Sequence, residues 1–204
     1  MLISTAKIDE RNINMSTQCN SGAETGEYLA KYYSIISDMV TGMTGAELTN
    51  SISHNFIVQM IPHHEAAIAM SKNILTYTQN EELKSIAENI ISEQTKGIED
   101  MRAILEASEK VINCSYDLQG YQNQLNNIFQ TMFSRMRNAC TSNRIDANFI
   151  REMIPHHMGA VNMAELTLRY CIYSELRPIL RGIISSQKKG IAQMRCLLNR
   201  ITCG

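Results

Sequence analysis

The sequence carries one five-residue motif, MIPHH, at residues 60–64 and again at residues 153–157. The offset holds without a gap, since residues 28–105 align with residues 121–198 and share 32 identities in 78 positions. Repeated segments fold alike, and each copy often needs the other to bury its apolar face. The tandem duplication therefore restricts this chain to a fold made of two similar halves.

Apolar residues recur at intervals of three and four in three segments of each half, which is the period of an amphipathic helix. Ser53 and Asp146 occupy matching positions where the second helix of each half would begin, and both residue types are good N-caps. Pro62 and Pro155 fall inside those helices, where a proline removes a backbone hydrogen bond and favours a kink. The predicted helices are residues 24–43, 53–77, 82–107, 121–138, 147–171 and 174–200.

The predicted fold is all-α, a tandem-repeat helical bundle whose four-helix core consists of two long antiparallel hairpins, residues 53–106 and 146–199. One hairpin buries only one face, so the two halves are expected to share one core, with the shorter first helices packed against it. The expected segments are an N-terminal arm at 1–23, a first repeat at 24–107, a linker at 108–120 and a second repeat at 121–200.

The composition excludes several classes of function. A net charge of −1 leaves no electrostatic footprint for nucleic acid or an anionic membrane. No stretch approaches the roughly 20 apolar residues of a membrane span. Residues 1–20 contain charged side chains and no apolar signal core, so the sequence as it stands predicts a cytoplasmic protein. Export is expected instead if a signal has been removed, and a homo-oligomer is compatible with either location.

The cysteines do not follow the repeat, and none of them forms a Cys-x-x-Cys motif, so a zinc ribbon or a thioredoxin-like site is excluded. Reduced thiols are predicted for a protein without a signal, although an exported protein could pair them. The six residues are Cys19, Cys114, Cys140, Cys171, Cys196 and Cys203.

Each half brings thioether and imidazole side chains into one pattern. Met60, His63 and His64 share an arc of about 120° on a helix, where a buried core stripe would also lie. Polar spacers in a core are the alternative, but burying adjacent imidazoles twice without a purpose is costly. Thioether sulfur and imidazole suit Cu(I) or Ag(I), so a copper site is predicted. The candidate metal ligands are Met60, His63 or His64, Met101, Met39 and Met43 in the first repeat, and Met153, His156 or His157, Met194, Met132 and Met136 in the second.

Gln94 and Gln187 interrupt otherwise apolar stripes on the third helix of each half. Antiparallel hairpin geometry places His64 opposite about residue 95, so each glutamine is predicted to hydrogen bond to a motif histidine and fix its tautomer. A bond to the backbone carbonyl freed by Pro62 is the alternative. Gly97 lies on the same face, as does its counterpart in the second repeat, and is predicted to allow close approach of a facing group.

Spacing excludes familiar catalytic motifs, and no catalytic residue is predicted. His64-Glu65 begins like the zinc-protease motif H-E-x-x-H but lacks its second histidine. A di-iron site needs a Glu three residues before a His, where this chain has Met or Ile. Besides metal binding, a structural or partner-binding module without metal remains open, as does a metal-dependent enzyme of unknown reaction. Since only neutral imidazole binds metal, affinity is expected to fall below about pH 6.5.

The MIPHH motif, followed by a Gln and then Met-Arg in the next helix, resembles the family called domain of unknown function 305, placed in the ferritin-like superfamily. Here those residues are Gln94 with Met101-Arg102, and Gln187 with Met194-Arg195. The resemblance covers about residues 53–106 and 146–199, as two tandem copies. It implies a ferritin-like long-helix bundle, often exported, with some members that bind copper or are linked to copper resistance.

Overall fold

The computed structural model describes residues 22–203, without the side chain of Cys203. Most of the expected N-terminal arm, including Cys19, lies outside the described residues. Within them the regular elements are six α-helices with no strand, which confirms the all-α prediction. None of these helices has the length and apolar character required to cross a membrane. The helices are α1 (Ala23–Thr44), α2 (Ile52–Leu75), α3 (Glu81–Ser108), α4 (Ser115–Arg137), α5 (Ile145–Thr167) and α6 (Leu176–Cys203).

The four long helices of the two hairpins form a closed ring around one core. Helix α2 packs against α3 and α5, and α6 packs against α5 and α3. Helix α1 lies against α2, and α4 lies against α5. One continuous cluster of buried apolar side chains draws on all six helices. Helices α2 and α5, which carry the two MIPHH motifs, are therefore neighbours in this ring.

Two helix starts differ from the prediction. The N-cap of α2 is Ser51, whose hydroxyl accepts a hydrogen bond from a backbone N–H of the first turn. Ser53 lies inside the helix, and its hydroxyl instead accepts a hydrogen bond from the backbone N–H of Tyr173 at 2.8 Å. In the second half the N-cap is Arg144, with no side-chain cap, and Asp146 lies in the first turn. The predicted Ser53 and Asp146 caps are therefore wrong.

Helix α4 begins at Ser115, six residues before the predicted start at 121. Its first turn is exposed at Ser115 and Tyr116, so no apolar period marks it in the sequence. The other predicted starts and ends fall within four residues of those observed.

Helix α1 approaches α2 closely at the motif proline. A Cβ added to Gly42 on α1 would lie only 2.8 Å from the Cβ of Pro62, so a larger residue would force these backbones apart. Helix α2 runs continuously through Pro62, as α5 does through Pro155. The proline therefore marks the side of α2 that faces the flanking helix.

Candidate metal centre

His63 on α2 and His156 on α5 face each other across the middle of the bundle. Nε2 of His63 lies 3.2 Å from the backbone oxygen of His156, and Nε2 of His156 lies 3.1 Å from the backbone oxygen of His63. A carbonyl only accepts hydrogen bonds, so each Nε2 carries the hydrogen and donates it. The rings stack with centroids 3.7 Å apart. In the neutral form each ring therefore keeps its lone pair on Nδ1.

His64 and His157 each lie against a glycine of the third helix of their own half. A Cβ at Gly97 would lie 3.0 Å from Cδ2 and 3.1 Å from Nε2 of His64. A Cβ at Gly190 would lie 3.2 Å from the same two atoms of His157. The close approach predicted for these glycines is confirmed, since a side chain there would push against the imidazole.

All four motif imidazoles have a buried Nδ1 with no hydrogen-bond partner among the described residues. The ring centroids are 6.1 Å apart in the pair His63–His64 and 6.0 Å apart in the pair His156–His157. A metal–imidazole bond is about 2 Å long and the nitrogen lies about 1 Å from the ring centre, so two rings sharing one ion nearly linearly have centres about 6 Å apart. The centroid separation in each adjacent pair is therefore compatible with one ion shared between the two rings.

Burial keeps these imidazoles neutral. It lowers the pKa of His64 to about 3 and the pKa of His156 to about 4. It also lowers the pKa of His63 and His157 well below the usual value, and the neighbouring imidazoles lower both further. Neutral imidazole is the form that binds metal ions, so protons compete weakly for these nitrogens at physiological pH.

The predicted thioether ligands are all buried, but they lie on two different sides of the long helices. At about 100° per residue, Met60 lies between His63 and His64 around α2, whereas Pro62 lies about 160° from His64. Because Pro62 meets α1 and His64 meets Gly97 on α3, the α1 residues lie on the opposite side of α2 from His64. The buried methionines predicted as thioether ligands are Met39, Met43, Met60, Met101, Met132, Met136, Met153 and Met194.

The same division holds in the second half. A Cβ at Gly159 on α5 would lie 2.0 Å from Sδ of Met132, so the methionine packs directly on the glycine backbone. Gly159 lies about 160° from His157 around α5. Met132 and its neighbour Met136 on α4 therefore lie across α5 from the His157 ring.

The two buried glutamines do not act as predicted. Neither Gln94 nor Gln187 forms a hydrogen bond to a motif histidine within residues 22–203, and the Oε1 atom of each has no partner there. The alternative bond to a carbonyl freed by Pro62 is also absent from this part of the chain. His64 meets Gly97 rather than a residue near 95, because helix side chains lean toward the N-terminus of their own helix. Because α3 runs antiparallel to α2, a lean toward the start of α2 moves the contact of His64 toward higher residue numbers in α3.

Glu152 is a buried polar residue that the sequence reasoning missed. Tyr28 on α1 donates a 2.5 Å hydrogen bond to its Oε2, and its Oε1 has no partner among the described residues. Burial raises the pKa of Glu152 to about 8. The signal was present in the repeat, since Glu152 matches Gln59 directly before the motif methionine.

Within residues 22–203, no group of three or more His, Cys, Asp or Glu side chains could hold one metal ion. Cys114, Cys140, Cys171 and Cys196 are exposed free thiols. The nitrogen and sulfur atoms that could serve as metal donors at this centre belong to the adjacent imidazole pairs and the buried methionines.

These features describe an all-α bundle with a cluster of buried, neutral imidazoles at its centre. The model of the family described as Domain of unknown function (DUF305) matches residues 53–198. The chain therefore belongs to the DUF305 family, which confirms the resemblance found in the motif.

Several solved structures are similar to this chain. The Ag-bound form of CopM, obtained by soaking, is 29% identical with a TM-score of 0.55, covering 74% of this chain and 98% of that chain. The Cu(II)-bound form of CopM is 28% identical with a TM-score of 0.55, covering 72% and 96%. A DUF305 fragment from Deinococcus radiodurans is 22% identical with a TM-score of 0.54, covering 73% and 96%, and supports the fold alone. The comparison with curated proteins found no match.

Proposed function

We propose that this protein binds monovalent soft metal ions, Cu(I) or Ag(I), one at each adjacent histidine pair, and sequesters or transfers them. The observation that carries this proposal is that the four motif histidines, which lie in two adjacent pairs, each have a buried Nδ1 without a hydrogen-bond partner among the described residues. Nδ1 of His54 is also buried without such a partner, but its ring does not lie beside a second imidazole among residues 22–203. An unsatisfied buried acceptor costs about 1–3 kcal/mol. One ion at each pair would give two such atoms a partner at once.

The donors in the first half are Nδ1 of His63 and Nδ1 of His64, so both rings of the pair take part. The centroid separation of 6.1 Å supports this choice. Met60 and Met101 lie on the His64 side of α2 and would supply further soft donors, which suit Cu(I) and Ag(I). The corresponding donors in the second half are His156, His157, Met153 and Met194. We assign the methionines of α1 and α4 to packing between the flanking helices and the core.

The similarity to CopM supports the choice of metal. CopM has been solved in Ag-bound and Cu(II)-bound forms, and it is 28–29% identical to this chain. A monovalent ion is favoured over Cu(II) here because the rings are buried and neutral. Burying the higher charge among neutral donors costs more desolvation free energy.

A structural module without metal is the second candidate. The reciprocal bonds of His63 and His156 support it, since they join α2 to α5 through both rings. This function would need only Nε2 of those two rings. It gives no role to the Nδ1 atoms, or to His64 and His157, which form no hydrogen bond within the described residues.

Anaerobic titration of Cu(I) against a chromophoric competitor tests the proposal. The wild-type protein should bind about two ions per chain, and the double substitution His63→Ala with His64→Ala should reduce this to about one. His54→Ala is the matched control, because this histidine lies outside the motif and its counterpart in the second repeat is Ala147. A folded wild-type protein that does not compete for Cu(I) at micromolar concentration would eliminate metal binding and leave the structural module.

A further inference from the structure

A cavity of about 90 Å³ lies between α3 and α6, and His157 forms part of its wall. Gly190 lines the same cavity beside the imidazole. Buried Ile90 contributes to the inner wall, whereas exposed Glu93 and Lys189 contribute to the outer wall. The cavity has room for several water molecules, since one needs roughly 10–15 Å³. It therefore connects surface side chains to a histidine that is otherwise buried.

Of the four motif histidines, His157 is the one that lines this cavity. His63 and His156 have no exposed surface, whereas His64 and His157 are each 2% exposed. His156 is covered on one face by the stacked ring of His63 and donates its Nε2 hydrogen across the bundle. An ion that approaches between α3 and α6 would consequently meet His157 before His156.

We infer that this cavity is the route by which a metal ion reaches the second histidine pair, with His157 as the first imidazole that the ion meets. The inference rests on the proposed function, because it describes access to that same site. A hydrated ion must lose its water molecules one after another, and the cavity lets this begin at the Cδ2–Nε2 edge of His157, which lies against Gly190, before the ion reaches the buried Nδ1. Without such a route, the bundle would have to open before the buried pair could be loaded.

The charges at the cavity mouth should influence the loading rate. Neither Glu93 nor Lys189 takes part in an ion pair within residues 22–203. Each charge is therefore free to act on a passing cation. A unit charge at about 8 Å in water changes the local concentration of a monovalent cation about two-fold. Glu93 should accelerate loading and Lys189 should slow it.

Stopped-flow mixing of Ag(I), or of Cu(I) from a weak chromophoric complex, tests the route. The substitution Ser186→Phe places a large side chain in the cavity wall, and Ser185→Phe adds the same side chain at the exposed neighbouring position outside it. We expect Ser186→Phe to slow the uptake of about one ion per chain by more than ten-fold, with final stoichiometry unchanged. Ser185→Phe should load like the wild type. Equal uptake rates in the two folded variants would overturn the inference.

A second pair of variants tests the route without filling the cavity. Glu93→Gln should slow uptake about two-fold and Lys189→Gln should accelerate it about two-fold, and both differences should shrink in concentrated sodium nitrate. Glu88→Gln is the control, as an exposed carboxylate of α3 that does not line the cavity. Unchanged rates for both mouth variants, with intact stoichiometry, would overturn the access route and leave the proposed function standing. A wild-type protein that binds no ion would remove both.

Discussion

Tyr28 on α1 donates a hydrogen bond of 2.5 Å to Glu152 on α5, so the first helix of one half is tied to a core helix of the other. The carboxyl group is fully buried, and burial raises its pKa to about 8. Near neutral pH it is therefore mostly protonated. This single contact makes the junction of the two halves sensitive to pH above the usual range of a carboxylate.

Replacing Glu152 by Gln should stabilise the protein at high pH. The folded pKa of Glu152 is about 8 and its ordinary value is 4.5, so the protonated folded state loses stability relative to the unfolded chain as pH rises through this interval. The free energy of unfolding of Glu152→Gln should equal that of the wild type near pH 4.5. Near pH 8 it should be higher than that of the wild type by on the order of a few kcal/mol. Urea unfolding across this range measures the difference. The exposed control Glu88→Gln should show the same pH dependence of the free energy of unfolding as the wild type. The same result for Glu152→Gln would show that the carboxyl group of Glu152 is not buried in solution.

The two facing histidines should be energetically coupled. His63→Ala removes a stacked ring and a buried hydrogen bond, and it should lower the free energy of unfolding by about 2–4 kcal/mol. His156→Ala should cost a similar amount. The double variant should lose less than the sum by about 1 kcal/mol, because either single substitution already removes the stacking of the two rings, whereas each Nε2 bond to a backbone carbonyl is lost only with its own ring. Metal-free protein is used for this cycle, and strictly additive losses would contradict the contact.

Metal affinity should persist to lower pH than an exposed histidine permits. The pKa of His64 is lowered to about 3 and that of His156 to about 4, so protons compete with the ion only at the acidic end. The sequence predicted a loss of metal affinity below about pH 6.5. With buried rings, this loss should begin at a lower pH. Competition titrations on folded protein should give similar affinity at about pH 7.5 and about pH 5. A synthetic peptide containing MIPHH, whose rings are exposed, should weaken throughout that interval.

A metal affinity that stays constant between about pH 7.5 and about pH 5 is also expected of a site made only of methionines. The double variant His63→Ala with His64→Ala must therefore be measured at the same pH values. An affinity that already declines from about pH 6.5 in the folded protein would contradict the buried state of the rings.

The side of α2 on which a methionine lies should decide its effect on metal binding. Met60→Leu keeps the size of the side chain and removes the sulfur beside the histidine pair, so Cu(I) affinity should fall about ten-fold with stoichiometry unchanged. Met39→Leu, on the α1 side, should leave affinity within about two-fold. Competition titration measures both variants. An equal loss in Met39→Leu would bring the α1 thioether into the metal site.

Gly159 should be coupled to Met132. An alanine Cβ at position 159 would lie 2.0 Å from Sδ of Met132, so the methionine must move away. In the wild-type background this strain should outweigh the helix-propensity gain of up to about 1 kcal/mol. In the Met132→Ala background the strain is gone, so Gly159→Ala should stabilise by about 0.5–1 kcal/mol. Thermal or urea unfolding of the four proteins gives the cycle, and the same effect in both backgrounds would refute the contact.

The helices and the histidine candidates could be predicted from local pattern. The three- and four-residue apolar period located all six helices, and the repeated MIPHH motif singled out the imidazoles that the structure places at the centre. The exposed first turn of α4 escaped this method because a solvated turn has no apolar period. The Ser53 cap also failed, since the serine two residues earlier serves instead.

The partners of these residues depended on how the helices pack. Periodicity placed Met39, Met60 and His63 on apolar faces alike, but it could not assign Met39 to the flanking side of α2. It likewise could not show that His63 donates to the carbonyl of His156, or that a buried Glu152 meets Tyr28. Spacing along one helix is a local property of the chain. Which residues of two packed helices face each other depends on the crossing angle and the axial shift between the helices, and the packing of the whole core decides both.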